Sequence, residues 1–219
     1  MNQETWTALD EYFESVTMDE NARQEETLQR GREAGLPAWD VSPTQGHFLE
    51  IIARIAKAER VLEIGTLAGY STTFLARAVT DGGLVVSLEL NPDYAKVARE
   101  NLAREGLAER VDIRVGDARK SLEQMRKRAE KPFDLVFIDA DKTSTTSYVR
   151  QSLELAHAGS VIIVDNVVRG GKVLSGGTED ADGIRSFFSD EQIRERLQLT
   201  AIQTVGRKGY DGFAIGTVR

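Results

Sequence analysis

The sequence predicts an α/β protein: a doubly wound, mostly parallel seven-stranded sheet with an antiparallel C-terminal strand and helices on both faces. Three observations carry that expectation. From Arg60 onward, short apolar runs alternate with amphipathic segments of helical period. The runs are apolar on both faces, as parallel strands enclosed between two helix layers must be. At the C-terminus, LQLTAIQTV and YDGFAIGTV flank the short turn RKG, the pattern of a hairpin finishing the sheet.

The first 35 residues read as helical. Trp6, Leu9 and Phe13 recur at helical spacing, and a second, very polar segment runs from Asp19 to about Glu33 and stops near Gly35. Its face has few apolar anchors, which suits covering a site or a partner subunit more than packing into the main core. LPAWDVSPTQG is linker-like, and Pro43 opens a helix carrying Phe48, Leu49, Ile52 and Ile55. Strands are expected at 61–64, 84–90, 111–115, 133–139 and 161–165, with helices over 70–79, 92–105, 118–129 and 144–157. One more helix, 182–193, precedes the hairpin. Gly170-Gly171, Gly176-Gly177 and the acidic TEDAD make 167–181 a loop beyond the fifth strand, either a plain connection or a substrate lid.

A chain of 219 residues needs only one domain, taken here as 1–219 with a helical segment over 1–40 and the core over 41–219. Apolar residues at 41% and charged residues at 29% suit a globular protein rather than a disordered one. The net charge of -7, without a lysine and arginine block, argues against nucleic acid as a partner. There is no cysteine, hence no disulfide framework and no thiolate chemistry. MNQETWTALDEYFE lacks the apolar segment of a signal peptide, and no run approaches the ~18 apolar residues of a membrane span. No membrane partner and a cytoplasmic location are the resulting expectations.

Charge at the ends of the apolar runs points to chemistry. ERVLEIGTLAGYST runs a strand into Gly65 and starts a helix after Gly69, so small residues let a ligand approach the amides of a helix N-terminus. The spacing is GxxxG, not the GxGxxG of dinucleotide binding. Ser71 and Thr72 either cap that helix or face the ligand. Glu89 ends the second strand, where a carboxylate can accept from both ribose hydroxyls. Asp117 ends the third, placed either to accept from an adenine amino group or to cap the next helix. FIDADK and IIVDN form a second pair. With strand order 3-2-1-4-5 the fourth and fifth strands are neighbours, so Asp139, Asp165 and Asn166 form a cluster of oxygen donors suited to a hard cation. Lys142, three residues beyond Asp139, is placed to take a proton from an acceptor beside that cation. Asp141 is expected to brace the turn, and neither His47 nor His157 is a preferred base.

These residues carry a resemblance. PTQGHFL, VLEIGTLAGYS, SLELNPDYA, VGDA, FDLVFIDADK and IIVDNVV, in that order from about Ser42 to the C-terminus, resemble the class I, S-adenosylmethionine-dependent, cation-dependent O-methyltransferases of the catechol and caffeoyl-CoA type, especially small bacterial members. The resemblance implies a Rossmann-like fold, S-adenosyl-L-methionine as cofactor and a divalent cation, magnesium first and manganese or calcium as alternatives. It implies that Glu63, Gly65, Gly69 and Ser71 line the methionine end, with Val41 and Ser42 flanking it, Glu89 on the ribose and Asp117-Ala118 beside the adenine. Asp139, Asp165 and Asn166 match the metal ligands, with Asp139 also at the cofactor's edge, and Lys142 matches the base, so Lys142 and Asp139 are the catalytic pair. A homodimer is implied, with the N-terminal helices shaping the entrance for a small aromatic diol. The chain has Ala140-Asp141 where catechol enzymes carry a His-Trp pair, Thr145 where many relatives carry tyrosine, and Arg169 with a glycine-rich loop where plant enzymes often place tryptophan. These differences bear on the acceptor, and Arg169 raises the expectation that it is anionic.

The activity expected is metal-dependent transfer of a methyl group to a hydroxyl of a catechol-like acceptor, orientation and charge control supplying most of the rate. A nicotinamide-dependent oxidoreductase would share the sheet and Glu89 but leaves Asp165-Asn166 without a purpose. A non-catalytic adenosyl-binding protein leaves Lys142 without one.

Overall fold

The computed structural model describes residues 2–18 and 22–219. Seven strands form one sheet in the order β3-β2-β1-β4-β5-β7-β6. They are β1 (Arg60–Ile64), β2 (Leu84–Glu89), β3 (Val111–Val115), β4 (Phe133–Ile138), β5 (Ala156–Asp165), β6 (Leu197–Gly206) and β7 (Gly209–Val218). The first five are parallel, and β7 runs antiparallel to both β5 and β6. The helices are α1 (Gln3–Thr17), α2 (Ala22–Glu33), α3 (Pro43–Ile55), α4 (Tyr70–Ala78), α5 (Pro92–Arg104), α6 (Ala118–Lys127), α7 (Thr145–Leu153), α8 (Glu179–Ser189) and α9 (Glu191–Arg196). No helix among the described residues is long and apolar enough to cross a membrane.

The two-residue period of the strands divides the core. Leu62, Ile64, Val86, Val136, Ile138, Ile162 and Val164 join one buried cluster, which takes in Leu122 of α6, Val149 of α7 and Phe187 of α8. Val61, Val85, Leu135, Phe137 and Ile163 join the other, with Leu49 of α3, Phe74 of α4 and Leu102 of α5. Each fully buried side chain of this size contributes about 1.5–3 kcal/mol. Burial on both faces is what makes the strands read as continuous apolar runs.

Three expected boundaries shift. The helix expected over 144–157 stops at Leu153, and β5 starts at Ala156. The reason is tertiary: Ala156 pairs with Phe133, and the Ser160 hydroxyl accepts from the His157 amide at 2.9 Å while donating to the Phe133 carbonyl at 2.8 Å. The helix expected over 182–193 is two helices broken at Asp190, whose extended backbone and carboxylate, accepting from the Ile193 amide at 3.0 Å, cap α9. The 167–181 loop contains a 3-10 turn at Arg169–Leu174 and the first residues of α8.

The N-terminal helices behave differently from each other. The stripe expected of α1 does not enter the core: Trp6 is half-buried, and Leu9 and Phe13 stay exposed with Tyr12 and Val16. Polar α2 packs against α4 and α5, and its Thr27 and Gly31 are buried. A side chain at Gly31 would start 3.1 Å from the Ala68 methyl, which keeps α2 close over the turn after β1. Asp19, the start expected for the second helix, lies outside the described residues.

Candidate functional site

A cavity of about 1330 Å³ opens at the carboxyl ends of β1, β2, β4 and β5, roofed by the 38–48 segment and the β6–β7 turn. The strand order reverses between β1 and β4, which is where open α/β sheets bind ligands. Val41, Ser42, Gly65, Glu89, Asp117, Ala118, Asp139, Lys142, Asp165 and Asn166 all line it. Neither histidine does. His157 instead stands 2.9 Å from the Asp134 carboxylate.

Glu63, Ser71 and Gly69 occupy the layer behind that wall. Glu63 is fully buried, and its carboxylate accepts from Ser71 Oγ at 2.6 Å, Thr72 Oγ1 at 2.5 Å and Ser87 Oγ at 2.6 Å. Ser71 and Thr72 therefore do not cap α4, whose N-cap is Gly69 in the left-handed conformation. Burial pushes the Glu63 carboxyl up from 4.5 to about 7, against the lowering effect of the three hydroxyls. The folded protein thus holds a proton that the unfolded chain has already released between those pH values. The sign follows: stability falls as pH rises from 4.5 to 7, by about 3 kcal/mol from this group. Thermal unfolding of metal-free protein should therefore drop in Tm between pH 5 and pH 7.5, and Glu63→Gln should flatten the fall. An unchanged slope in that variant would show that Glu63 stays ionised when buried.

Glu89 takes on two tasks. Its Oε2 accepts from the amides of Thr66 at 3.1 Å and Leu67 at 2.9 Å, and Oε1 accepts from Asn91 at 2.8 Å. It therefore shapes the turn after β1 from the neighbouring strand. A carboxylate has about four acceptor positions, so one remains toward the cavity. Asp117 caps α6 by accepting from the Lys120 amide, and the Arg119 guanidinium beside it holds its carboxyl down at about 2. Gly65 lets β1 approach β4: with φ at +100°, a Cβ there would lie 2.0 Å from the Asp139 carbonyl oxygen.

The acidic half of the cavity lies where Ile138 pairs with Val164, which puts Asp139 and Asp165 on the next rung. Lys142 is buried, and its ammonium donates to Asp139 Oδ1 at 2.9 Å. Asp165 is buried too; burial first, then the Asp139 charge, push its carboxyl up to about 7, while the Lys142 ammonium and a hydrogen bond from Gln45 work the other way. Among the described residues no group of three or more His, Cys, Asp or Glu side chains forms a metal cage. The set here is two carboxylates with the Asn166 amide. Its excess of negative oxygen, answered in part by one ammonium, fits a hard divalent ion with positions left for other oxygen ligands.

Asp141 braces the turn as expected, accepting from the Ser144 amide at 3.1 Å, Thr143 Oγ1 at 3.0 Å and the Tyr148 hydroxyl at 2.5 Å. Arg169 does not offer a free cation to an anionic acceptor, because its guanidinium pairs with Asp180. Gln45, Trp39, Lys208 and Asp211 also line the cavity, away from the strand ends that mark the other site residues. Gln45 lies within PTQGHFL and bears no charge that would mark it. Trp39 stands 73% exposed at the rim. Lys208 donates to the carbonyls of Ala38 at 2.9 Å and Asp40 at 2.7 Å, tying the hairpin turn to the cavity wall. Asp211 accepts from three backbone amides. The last two act across long stretches of chain, and no local pattern marks them.

A glycine turn, acids on successive strand ends and a crevice at the switch point define the class of doubly wound α/β proteins that bind a nucleoside-containing cofactor. Comparison narrows that class. The O-methyltransferase family model matches residues 14–206. A catechol O-methyltransferase of Mycobacterium tuberculosis is 45% identical over 213 residues, covering 96% of this chain and 95% of the relative. An O-methyltransferase from Bacillus cereus, solved in complex with SAH, superposes with a TM-score of 0.96 at 46% identity over the whole of both chains. TomG from Streptomyces achromogenes, involved in tomaymycin synthesis and solved with SAM, gives 0.94 at 40% identity, covering 100% of this chain and 99% of that one. The chain belongs to the O-methyltransferase family, and it is an S-adenosylmethionine-dependent transferase.

Proposed function

We propose that the protein transfers a methyl group from S-adenosylmethionine to one hydroxyl of a small vicinal diphenol, with a divalent cation held by Asp139, Asp165 and Asn166. The observation that carries this reading is the carboxylate pair on adjacent strand ends, one member buried, in the same cavity as the glycine turn. When bound, the cation would fix two adjacent acceptor oxygens and favour loss of the proton from the one to be methylated. Magnesium suits the donor set, and manganese or calcium would also fit.

The chain's own residues do the rest. In its neutral amine form Lys142 Nζ, buried beside Asp139, takes the proton that the acceptor hydroxyl gives up as its oxygen attacks the methyl group, and so becomes an ammonium. Asp139 orients that ammonium from one side, and Asp141 fixes the turn carrying it from the other. Gly65, Glu89, Val41 and Ser42, with Asp117 and Ala118 beyond, border the cofactor's place, while Glu63 and Ser71 stiffen the turn from behind. Burial of the reacting groups excludes water, so orientation supplies much of the rate. The name of the M. tuberculosis relative supports a catechol-like acceptor. The N-terminal helices would shape the acceptor's entrance, and the exposed Leu9, Tyr12, Phe13 and Val16 of α1 support a homodimer. A cytoplasmic site of action accords with this reading.

The test is a panel of vicinal diphenols and their single-hydroxyl analogues, assayed with magnesium and then with excess chelator. Turnover should be confined to the vicinal diols and should vanish with chelator. Undiminished transfer in chelator would sink the cation's role, and equal use of the single-hydroxyl analogues would sink the diol.

A further inference from the structure

The turn that leaves β5, from Asn166 to Arg169, contains two left-handed residues that are not glycine: Asn166 at φ 56° and Arg169 at φ 54°. Asparagine enters this region more readily than other side chains, whereas an arginine persists there only where its surroundings hold it. Here every backbone donor in the turn is held. The Asn166 amide donates to Asp165 Oδ1 at 2.8 Å. The Val167 amide donates to the Gly212 carbonyl at 2.9 Å. The amides of Val168 and Arg169 both donate to a single oxygen, Asp211 Oδ1, at 2.9 and 3.0 Å, and that oxygen also accepts from the Gly212 amide at 3.0 Å. Asp211 lies on β7, antiparallel to β5, where Asp165 pairs with Phe213. Gly212 is hemmed in on both sides, since a Cβ there would start 2.8 Å from Val168 Cγ2 in the turn and 2.3 Å from the Ile202 carbonyl oxygen of β6.

We propose that Asp211 is a positioning residue for Asn166: by holding the amides of Val168 and Arg169 it fixes the left-handed turn that keeps the Asn166 side chain in the cavity wall beside Asp139 and Asp165. The proposal rests on the cation reading above. Bonds to an ionised carboxylate are roughly twice as strong as neutral ones, which suits one oxygen to restraining three amides. Partners one layer out from a metal typically govern 10- to 100-fold in metal affinity.

The experiment measures two affinities on the full chain: Mn2+ by its electron paramagnetic resonance signal, and S-adenosylhomocysteine by calorimetry without metal. Asp211→Ala should raise the Mn2+ Kd by roughly 10- to 100-fold and leave the S-adenosylhomocysteine Kd within about twofold. Asp211→Asn, which keeps a neutral acceptor oxygen, should fall between, at roughly 3- to 10-fold. If Asp211→Ala does not fold, Asp211→Asn carries the test alone. Mn2+ affinity unchanged in a folded variant overturns the proposal, as do equal losses for both ligands, which would mark Asp211 as a general structural brace. Asp139→Ala serves as the control. Wild-type protein that fails to bind Mn2+, or Asp139→Ala that binds it normally, overturns the cation reading itself, and the proposal with it.

Discussion

Asp139→Ala is expected to lower methyl transfer to a vicinal diphenol by at least about 10³-fold, with no recovery on adding magnesium. The residue serves two partners at once. It is one of only two carboxylates in the candidate cation set, and it holds the buried Lys142 ammonium at 2.9 Å. Removing one partner of a buried ion pair usually destabilises by 3–5 kcal/mol, because a charge is left uncompensated. Here the loss should be smaller, since Asp165 already feels the Lys142 charge and can take over as its counter-ion. The fold should therefore persist, with S-adenosylhomocysteine still bound. The pattern to look for is retained cofactor affinity with abolished turnover. Near-normal turnover in the variant, with or without magnesium, is the result that would sink the assignment.

That a sequence can point to Asp139 at all has a physical reason. A charged residue interrupting an apolar run is conspicuous, and in a parallel sheet such interruptions fall at strand ends, where the sheet opens to solvent. Glu89, Asp117, Asp139 and Asp165 are each visible in this way, and the parallel order of the first five strands brings all four to one cavity. The glycine turn was equally legible, because Gly65 and Gly69 mark a change from strand to helix. What stayed hidden depends on distant partners. AHAGS at the start of β5 is small and polar, and it becomes strand only because Phe133 offers a rung and a carbonyl. The break at Asp190 hid inside an apolar period that continues across it. The α1 stripe has helical spacing, yet among the described residues Leu9 and Phe13 are left exposed. Gln45, Lys208 and Asp211 look like ordinary surface residues until the hairpin and the 38–48 segment close over the sheet.

Gly65→Ala should be the most damaging addition of a single methyl group to the cavity wall, lowering Tm by roughly 6–12 °C and removing most activity. Two costs combine. A left-handed φ costs an alanine about 1–2 kcal/mol whatever its surroundings. The new Cβ would also start 2.0 Å from the Asp139 carbonyl oxygen and 2.9 Å from its carbon, both backbone atoms of the strand end. Nothing flexible can yield. The Asp139 amide donates to the Ile64 carbonyl at 2.9 Å, and the Gly65 amide donates to the Leu88 carbonyl at 3.0 Å on the other side. Relieving the collision therefore breaks one ladder bond or the other, at about 1 kcal/mol, for a total near 3 kcal/mol. The strand end that moves carries Asp139 and, three residues on, Lys142, so activity should fall further than stability alone requires. Gly82 provides the control. Its φ is +78° but nothing lies within 4 Å of the position a Cβ would take, so Gly82→Ala carries the backbone cost without the collision. Gly82→Ala should lose about half to two thirds of the Tm that Gly65→Ala loses and keep full turnover. If the two variants lose the same Tm and the same activity, the close approach of β1 to β4 is not what requires glycine at position 65.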